Sequence, residues 1–258
     1  MEITALPAFS DNYIWVLRHQ DQVAVVDPGE AAPVLDYLQQ TGGTLCAILI
    51  THRHADHIGG VQALLQHAKV PVYGPAVEQD KITMLTHTLR DGDAISLPEL
   101  GLDLSVMDVG GHTLGHIAYF AAQQQALFCG DTLFAGGCGR IFEGTPQQMQ
   151  ASLARIAALP PATRIYCAHE YTQANMKFAL AVEPDNAALQ ARNQDVARLR
   201  AAGQATVPST LAEELATNPF LRWDAPAVIA AARRISGDEA LNDALGVFTA
   251  IRAWKNVF

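Results

Sequence analysis

Basic residues are scarce in this chain: 17 Lys and Arg stand against 26 Asp and Glu, for a formal charge of −9. A surface that grips nucleic-acid phosphates needs clustered cations, and no such cluster occurs, so nucleic-acid partners are not expected. An anionic small molecule would need a local positive patch set against the field of the whole protein. No apolar run is long enough to cross a bilayer, and the N-terminal MEITALPAFSDNY lacks a basic stretch followed by an apolar block. Neither a membrane span nor a secretory signal is therefore expected. Cysteine is also sparse: Cys46, Cys129, Cys138 and Cys167 form no Cys-x-x-Cys pair. Cys46, Cys129 and Cys167 sit in or beside apolar, strand-like segments and read as small core residues of a reducing compartment, which a cytoplasm provides. No repeat of fixed period occurs.

What is present is an ordinary core-forming composition, half apolar over 258 residues, enough for one large domain or one domain with a smaller appendage. NYIWVLRH and QVAVVDPG read as a β-hairpin, AAPVLDYLQQTG as a helix ending at glycine, and LCAILI as a buried strand. GGVQALLQHA returns to helical spacing, LDLSVMDV is a strand, and HIAYFAAQQQALFCGD is a second hairpin. TPQQMQASLARIAAL is a helix with Thr145 as N-cap and Pro146 in its first turn, and TRIYCAHE is one more strand. Beyond residue 170 strand signals stop, and Ala-rich helical stretches (NAALQARNQDVARLRAAG, DAPAVIAAARRISG, DEALNDALGVFTAIRAWKN) are punctuated by Pro and Gly. The expected division is an α/β domain over 1–168 and a helical domain over 169–258.

The densest chemistry is THRHADHIGG, which packs His52, His54, Asp56 and His57 into six positions directly after an apolar strand. His52 and His54 alternate, so an extended chain points them the same way. Asp56 and His57 precede a helix-like segment, and a strand–loop–helix turn would converge all four. The spacing differs from the helical His-Glu-x-x-His pattern and supplies two ligand sets, His52/His54 and Asp56/His57. His112, Asp131 and His169, each just past a strand, are available to complete them. Imidazole with carboxylate, and no adjacent cysteine, suits zinc, iron or manganese rather than a thiolate-rich structural site. His116 starts an apolar strand and is expected to support rather than ligate. His19, His67 and His87 lack such surroundings and read as solvated or packing residues. Asp27, in VVDPG, is open to two readings, orienting a histidine or forming a turn.

These motifs carry a resemblance. THRHADH (51–57), GHT (111–113), GDT (130–132) and AHE (168–170) resemble the signature of the metallo-β-lactamase superfamily, which lactamases, nucleases and thioesterases share. A finer set is similar to the glyoxalase II (hydroxyacylglutathione hydrolase) family: FSDNYIW, FCGDTLFAGGCGRIFEGT, CAHEYT with NMKFAL, TNPFLR and a C-terminal RAWK, running from residue 9 to residue 255. The resemblance implies an αββα sandwich of the α/β (α+β) class with a binuclear site at its edge, and a small all-α C-terminal domain that helps hold glutathione. It further implies that His52, His54 and His112 bind one divalent metal, Asp56, His57 and His169 the other, and that Asp131 bridges them, so that Asp56 and Asp131 are the catalytic carboxylates. Zinc is the first expectation, with iron or manganese as alternatives. Glutathione contacts fall on Arg140, Tyr171, Asn175, Arg252 and Lys255.

Two positions depart from the family. Phe142 stands where some relatives carry a substrate-contacting tyrosine, and Gly110 stands where the loop before the histidine usually has proline, at some expense of loop rigidity. The implied reaction is hydrolysis of S-D-lactoylglutathione to D-lactate and glutathione, the second step of methylglyoxal detoxification, by a cytoplasmic monomer. Two metals ~3.5–4 Å apart would acidify a bridging water to the attacking hydroxide and one would stabilise the oxyanion. A thiol pKa of about 8.5 makes the leaving thiolate independent of a general acid. Arg252 and Lys255, one helical turn apart, share a face that is either a substrate patch or a solvated basic face. Rival readings are another enzyme of the same fold (a lactonase, lactamase, nuclease, persulfide dioxygenase or other thioesterase) and a non-catalytic, metal-stabilised glutathione-binding module. One iron rather than two metals would mark the dioxygenase, and unfolding on metal removal the module.

Overall fold

The computed structural model describes residues 1–258 and contains two six-stranded sheets. The first runs in chain order: β1 (Glu2–Ala8), β2 (Asn12–His19), β3 (Gln22–Val26), β4 (Thr44–Leu49), β5 (Val72–Pro75) and β6 (His87–Leu89). β1–β3 are antiparallel and β3–β6 parallel. The parallel steps need crossovers: α1 (Ala32–Thr41) joins β3 to β4, the four-residue α2 (Ala55–Ile58) and α3 (Val61–His67) join β4 to β5, and a 3₁₀ turn (Ala76–Glu78) with its loop joins β5 to β6. The second sheet is built from β7 (Ala94–Leu97), β8 (Leu102–Asp108), β9 (Ile117–Ala121) and β10 (Ala126–Gly130). Next comes a two-stranded ribbon, β11 (Leu133–Phe134) with β12 (Gly137–Cys138). Then β13 (Arg164–Cys167) and β14 (Ser209–Thr210) complete the second sheet in the order β14-β13-β10-β9-β8-β7.

Both faces of β2, β3 and β4 are buried, which is why these strands read as continuous apolar runs. Ile14, Val16, Val23, Val25 and Ile48 face outward and pack with Val34 and Leu38 of α1 and Val61 and Leu64 of α3. The alternate residues Trp15, Leu17, Ala24, Val26, Ala47 and Leu49 face the second sheet. Between the sheets the Trp15 indole N–H donates to the Cys167 carbonyl at 2.9 Å, and the Tyr119 hydroxyl donates to the Ile50 carbonyl at 2.7 Å. α4 (Pro146–Ala157) contributes Met149, Leu153 and Ile156 to the same core, and opens with the expected cap: Thr145 Oγ1 accepts from Gln148 N while Gln148 Oε1 accepts from Thr145 N. The layers are thus helix, sheet, sheet, helix.

After β13 the chain is helical: α5 (Thr172–Val182), α6 (Ala187–Ala201), α7 (Leu211–Thr217), α8 (Pro226–Ser236) and α9 (Ala244–Val257). One strand does occur there. β14 covers the otherwise open edge of β13, in two residues that are too short to show alternation. The apolar faces of these helices do not form a core of their own; Phe178, Val182, Val228, Phe248 and Ile251 belong to the same buried cluster as Trp15 and Phe128. A small satellite of Met176, Ala179, Leu189 and Val196 joins α5 to α6. All four cysteines are free; Cys129, Cys138 and Cys167 are buried, while Cys46 is partly exposed at the rim of the core. No helix is long and apolar enough to cross a membrane.

Candidate active site

The ligand-capable residues lie where strands of both sheets end. β4 stops at Leu49, earlier than expected, and His52 and His54 sit in the extended loop that follows; Asp56 and His57 lie inside α2. His112 is in the loop after β8, Asp131 directly follows β10, and His169 is two residues beyond β13. At Gly130, φ is +48°, and a Cβ would meet Thr51 Oγ1 at 2.4 Å and the His116 ring at 2.8 Å. Only glycine lets Asp131 turn into the centre there. The loop carrying His112 has lost the family proline, but the Gly110 N–H donates to Asp108 Oδ1 at 3.0 Å and its carbonyl accepts from Ser152 Oγ at 2.7 Å. These bonds supply the restraint that a proline ring would otherwise give.

Two groups of donor atoms converge. His54 Nδ1 lies 3.0 Å from both His52 Nε2 and His112 Nε2. On the other side, His57 Nε2 and His169 Nε2 each lie 3.5 Å from Asp56 Oδ2. Asp131 faces both groups: its Oδ1 is 3.5 Å from His57 Nε2 and 3.3 Å from His169 Nε2, and its Oδ2 is 3.4 Å from His112 Nε2. Two of the far ring nitrogens are hydrogen-bonded from behind, and the third, His57 Nδ1, faces a carboxylate without hydrogen-bond geometry. His112 Nδ1 donates to the Arg140 carbonyl (2.8 Å), His169 Nδ1 to Asp11 Oδ1 (2.8 Å), and His57 Nδ1 lies 3.1 Å from Asp27 Oδ2. Asp27 also accepts from Thr51 N and Oγ1, both at 2.7 Å, so it orients a histidine as well as shaping its turn. His116 takes the supporting role: its ring stacks on His52 at 4.5 Å and its Nε2 accepts from the Asp131 backbone N–H at 3.0 Å.

Electrostatics divide the two groups. Burial, with neighbouring imidazoles, holds His52 well below an ordinary imidazole pKa and lowers His54 and His112. Burial opposes charge on His57 as well, but the carboxylates of Asp131 and Asp27 outweigh it and push it up to about 9. Asp131 is buried, which would raise its pKa, yet His57 and His169 hold it well below the usual carboxylate range. Neutral imidazoles whose lone pairs face one another at 3.0 Å repel unless a proton or a metal cation lies between them. His57 Nε2 and Asp131 Oδ1 are buried with no hydrogen-bond partner, against the rule that buried polar atoms are satisfied. The donor set fits two divalent cations.

Above these residues opens a cavity of about 410 Å³, with His54, Asp56, His112, Asp131 and His169 on its floor and Phe134, Arg140, Phe142 and Tyr171 as walls. The Tyr171 ring stacks on His169 at 4.7 Å, and the exposed Phe142 packs edge-on against His112 at 5.2 Å. Of the five expected substrate residues, only Arg140 and Tyr171 line this cavity. Asn175 and Arg252 lie behind its wall and hold the ribbon: Asn175 Nδ2 donates to the Ala135 carbonyl (3.1 Å) and Arg252 Nη1 to the Cys138 carbonyl (3.0 Å). Asn175 is therefore not a helix cap, since α5 begins at Thr172. Arg252 is buried over the Phe220 ring with its Nε unpaired, and Lys255 is half-buried over Phe178; neither belongs to a solvated basic face. Asp11, Asn12 and Phe134 had no role in the reading by residue type, although they stand in the quoted motifs FSDNYIW and FCGDTLF.

The model of the metallo-β-lactamase superfamily matches residues 8–169, and that of the hydroxyacylglutathione hydrolase C-terminus matches residues 170–258. A hydroxyacylglutathione hydrolase of Ectopseudomonas mendocina is 54% identical over 261 residues, covering 100% of both chains. One of Alkalilimnicola ehrlichii is 56% identical over 99% of this chain and 98% of its own. The chain belongs to the hydroxyacylglutathione hydrolase family. The sandwich itself recurs more widely. ETHE1 from Myxococcus xanthus superposes with a TM-score of 0.66 at 24% identity, covering 100% of this chain and 99% of that one. The B3 metallo-β-lactamase BLEG-1 gives 0.66 at 23% identity over 85% of this chain and 99% of its own, so the family shares its fold with enzymes of other activities.

Proposed function

We propose that this family member hydrolyses S-D-lactoylglutathione to D-lactate and glutathione, with His52, His54 and His112 holding one divalent ion, Asp56, His57 and His169 the other, and Asp131 spanning both. The observation that carries the reading is the division of Asp131, one oxygen toward each donor group. A carboxylate can serve two cations and a neutral imidazole cannot. When bound, two such ions supply a water acidified toward neutrality and a Lewis acid for the thioester carbonyl.

The chain's own residues do the rest. Asp131 and Asp56 keep anionic oxygens at the floor, and the outer hydrogen bonds of His112 and His169 keep each Nε2 turned inward with its lone pair free. Arg140 brings a cation to the mouth of an acidic protein, where the glutathione carboxylates would dock. Arg252 supports that mouth from behind, where its Nη1 donates to the Cys138 carbonyl. Phe142 offers an apolar face in place of a hydroxyl, so substrate hydrogen bonding falls to Tyr171. No acid is needed for the departing thiolate. Zinc is the first choice of metal, and the mixed N/O donors also suit iron or manganese; TTHA1623, 28% identical over 66% of this chain with a TM-score of 0.56, was solved in a di-iron-bound form.

The test is turnover of S-D-lactoylglutathione beside a lactoyl thioester of another thiol and a β-lactam, each with and without chelator. Chelator-sensitive hydrolysis of the glutathione thioester alone is expected. Turnover of another substrate in its place would keep the fold and overturn the substrate.

A further inference from the structure

The two donor groups are backed differently. Behind the His52 group stand neutral partners: Thr51 Oγ1 lies 3.1 Å from His52 Nδ1, and the Arg140 carbonyl accepts from His112 Nδ1. Thr51 Oγ1 spends its own proton on Asp27, so it can only accept from His52. Behind the Asp56 group stand charged or donating side chains on every member. Asp27 backs His57, Asp11 Oδ1 accepts from His169 Nδ1 at 2.8 Å, and Asn12 Nδ2 donates to Asp56 Oδ2 at 3.0 Å. That Asp56 oxygen is the one facing both His57 and His169.

Asp11 and Asn12 are adjacent, and the turn that presents them is clamped to the His169 segment. Tyr13 N–H donates to the Ala168 carbonyl at 2.7 Å, and Glu170 N–H to the Asp11 carbonyl at 2.8 Å. A single β1–β2 turn thus reaches two of the three members of one donor group and none of the other.

We propose that Asp11 and Asn12 are positioning residues that make the Asp56–His57–His169 half of the centre the tighter of two unequal cation sites, the first to load and the last to empty. The cause is twofold. A carboxylate behind an imidazole makes the facing nitrogen a stronger donor, and the Asn12 amide holds Asp56 Oδ2 in place before a cation arrives. The inference rests on the ligand sets proposed above.

The experiment titrates metal-free protein with Zn²⁺ alone against a competing chromophoric chelator, which resolves two binding steps without any turnover assay. Wild type is expected to bind two ions in separated steps. Asp11→Asn, nearly isosteric and partly exposed, and Asn12→Ala should each weaken the tighter step by about 10–100-fold and leave the looser step in place, drawing the two together. Equal weakening of both steps, weakening of the looser one alone, or no change in either variant would overturn the proposal. If one variant does not fold in its metal-free form, as read by circular dichroism, the other decides. A wild type that saturates at one ion would overturn the ligand sets, and the inference with them; two ions in wild type with unchanged variants would overturn the inference alone.

Discussion

Glu214 should be among the side chains of the C-terminal helices that matter most to stability. It is fully buried; its Oε1 accepts from Arg192 Nη2 at 2.5 Å, and its Oε2 accepts from Gly136 N at 2.8 Å and Asn218 Nδ2 at 3.0 Å. Glu214→Ala would strand the buried Arg192 guanidinium with Thr217 Oγ1 at 2.6 Å and the more exposed Glu213 at 3.4 Å as its remaining partners. It would also orphan the Gly136 N–H. Breaking a buried pair from one side costs roughly 3–5 kcal/mol. For a chain of this size that is a fall in Tm on the order of 10 °C. The double change Arg192→Met/Glu214→Leu removes both charges and should recover the part of the loss due to the stranded guanidinium, leaving the Gly136 N–H unpaired. Urea unfolding of the metal-loaded proteins measures all three. A loss below about 1 kcal/mol in Glu214→Ala, or a double variant as weak as the single, would refute the argument. Because Gly136 belongs to the ribbon between Phe134 and Arg140, KM for the glutathione thioester should rise in any folded Glu214 variant.

Asp131→Asn should lower the bound metal from two ions toward one and abolish turnover; elemental analysis that still finds two ions would refute its bridging role. Arg140→Ala should raise KM for the glutathione thioester and leave hydrolysis of a small-thiol lactoyl thioester nearly unchanged, and an equal effect on both substrates would remove Arg140 from glutathione binding. Glu78 is buried beside the His112 loop, where Oε1 accepts from Gly115 N at 3.2 Å and Oε2 has no partner; burial raises its pKa above the ordinary 4.5. The folded state therefore holds this proton more tightly than the unfolded chain, and the resulting stability is full below about pH 4.5 and lost as pH rises through the raised value. Glu78→Gln should accordingly unfold at higher urea than wild type at pH 7, with the difference closing in acid; a gain that persists unchanged at pH 4 would contradict the assignment.

Local spacing was enough to mark the ligand-bearing segments. His52, His54, Asp56 and His57 lie within six positions, and each of the other three candidates follows an apolar run, so residue type and strand ends pointed to them together. The hairpins β2–β3 and β9–β10 read as apolar runs on either side of polar turns, helices α1, α3, α4 and α8 show a helical period because one stripe of each is buried, and α6 is legible through its alanine content. β1, β5, β6 and β7 escaped notice. β5, β6 and β7 have only three or four residues each, and β1 carries Pro7 and is mostly half-exposed at a sheet edge, so none leaves an alternation to read. The apolar helices beyond residue 170 were legible as helices, yet nothing in their composition says that they share the sandwich core.

Direction was the larger gap. Spacing put Arg252 and Lys255 on one face of α9, but only packing turned Arg252 inward to the Cys138 carbonyl and sent Asn175 to Ala135 rather than to a helix end. In the same way, Asp11 and Asn12 are ordinary turn residues until the β1–β2 turn is laid against His169 and Asp56, some 158 and 44 positions away along the chain. A sequence determines which donors are available and how neighbours in one segment alternate. Which oxygen of Asp131 meets which imidazole, and which carboxylate stands behind it, is decided by how two twisted sheets close on one another, because those distances depend on contacts that no local period encodes.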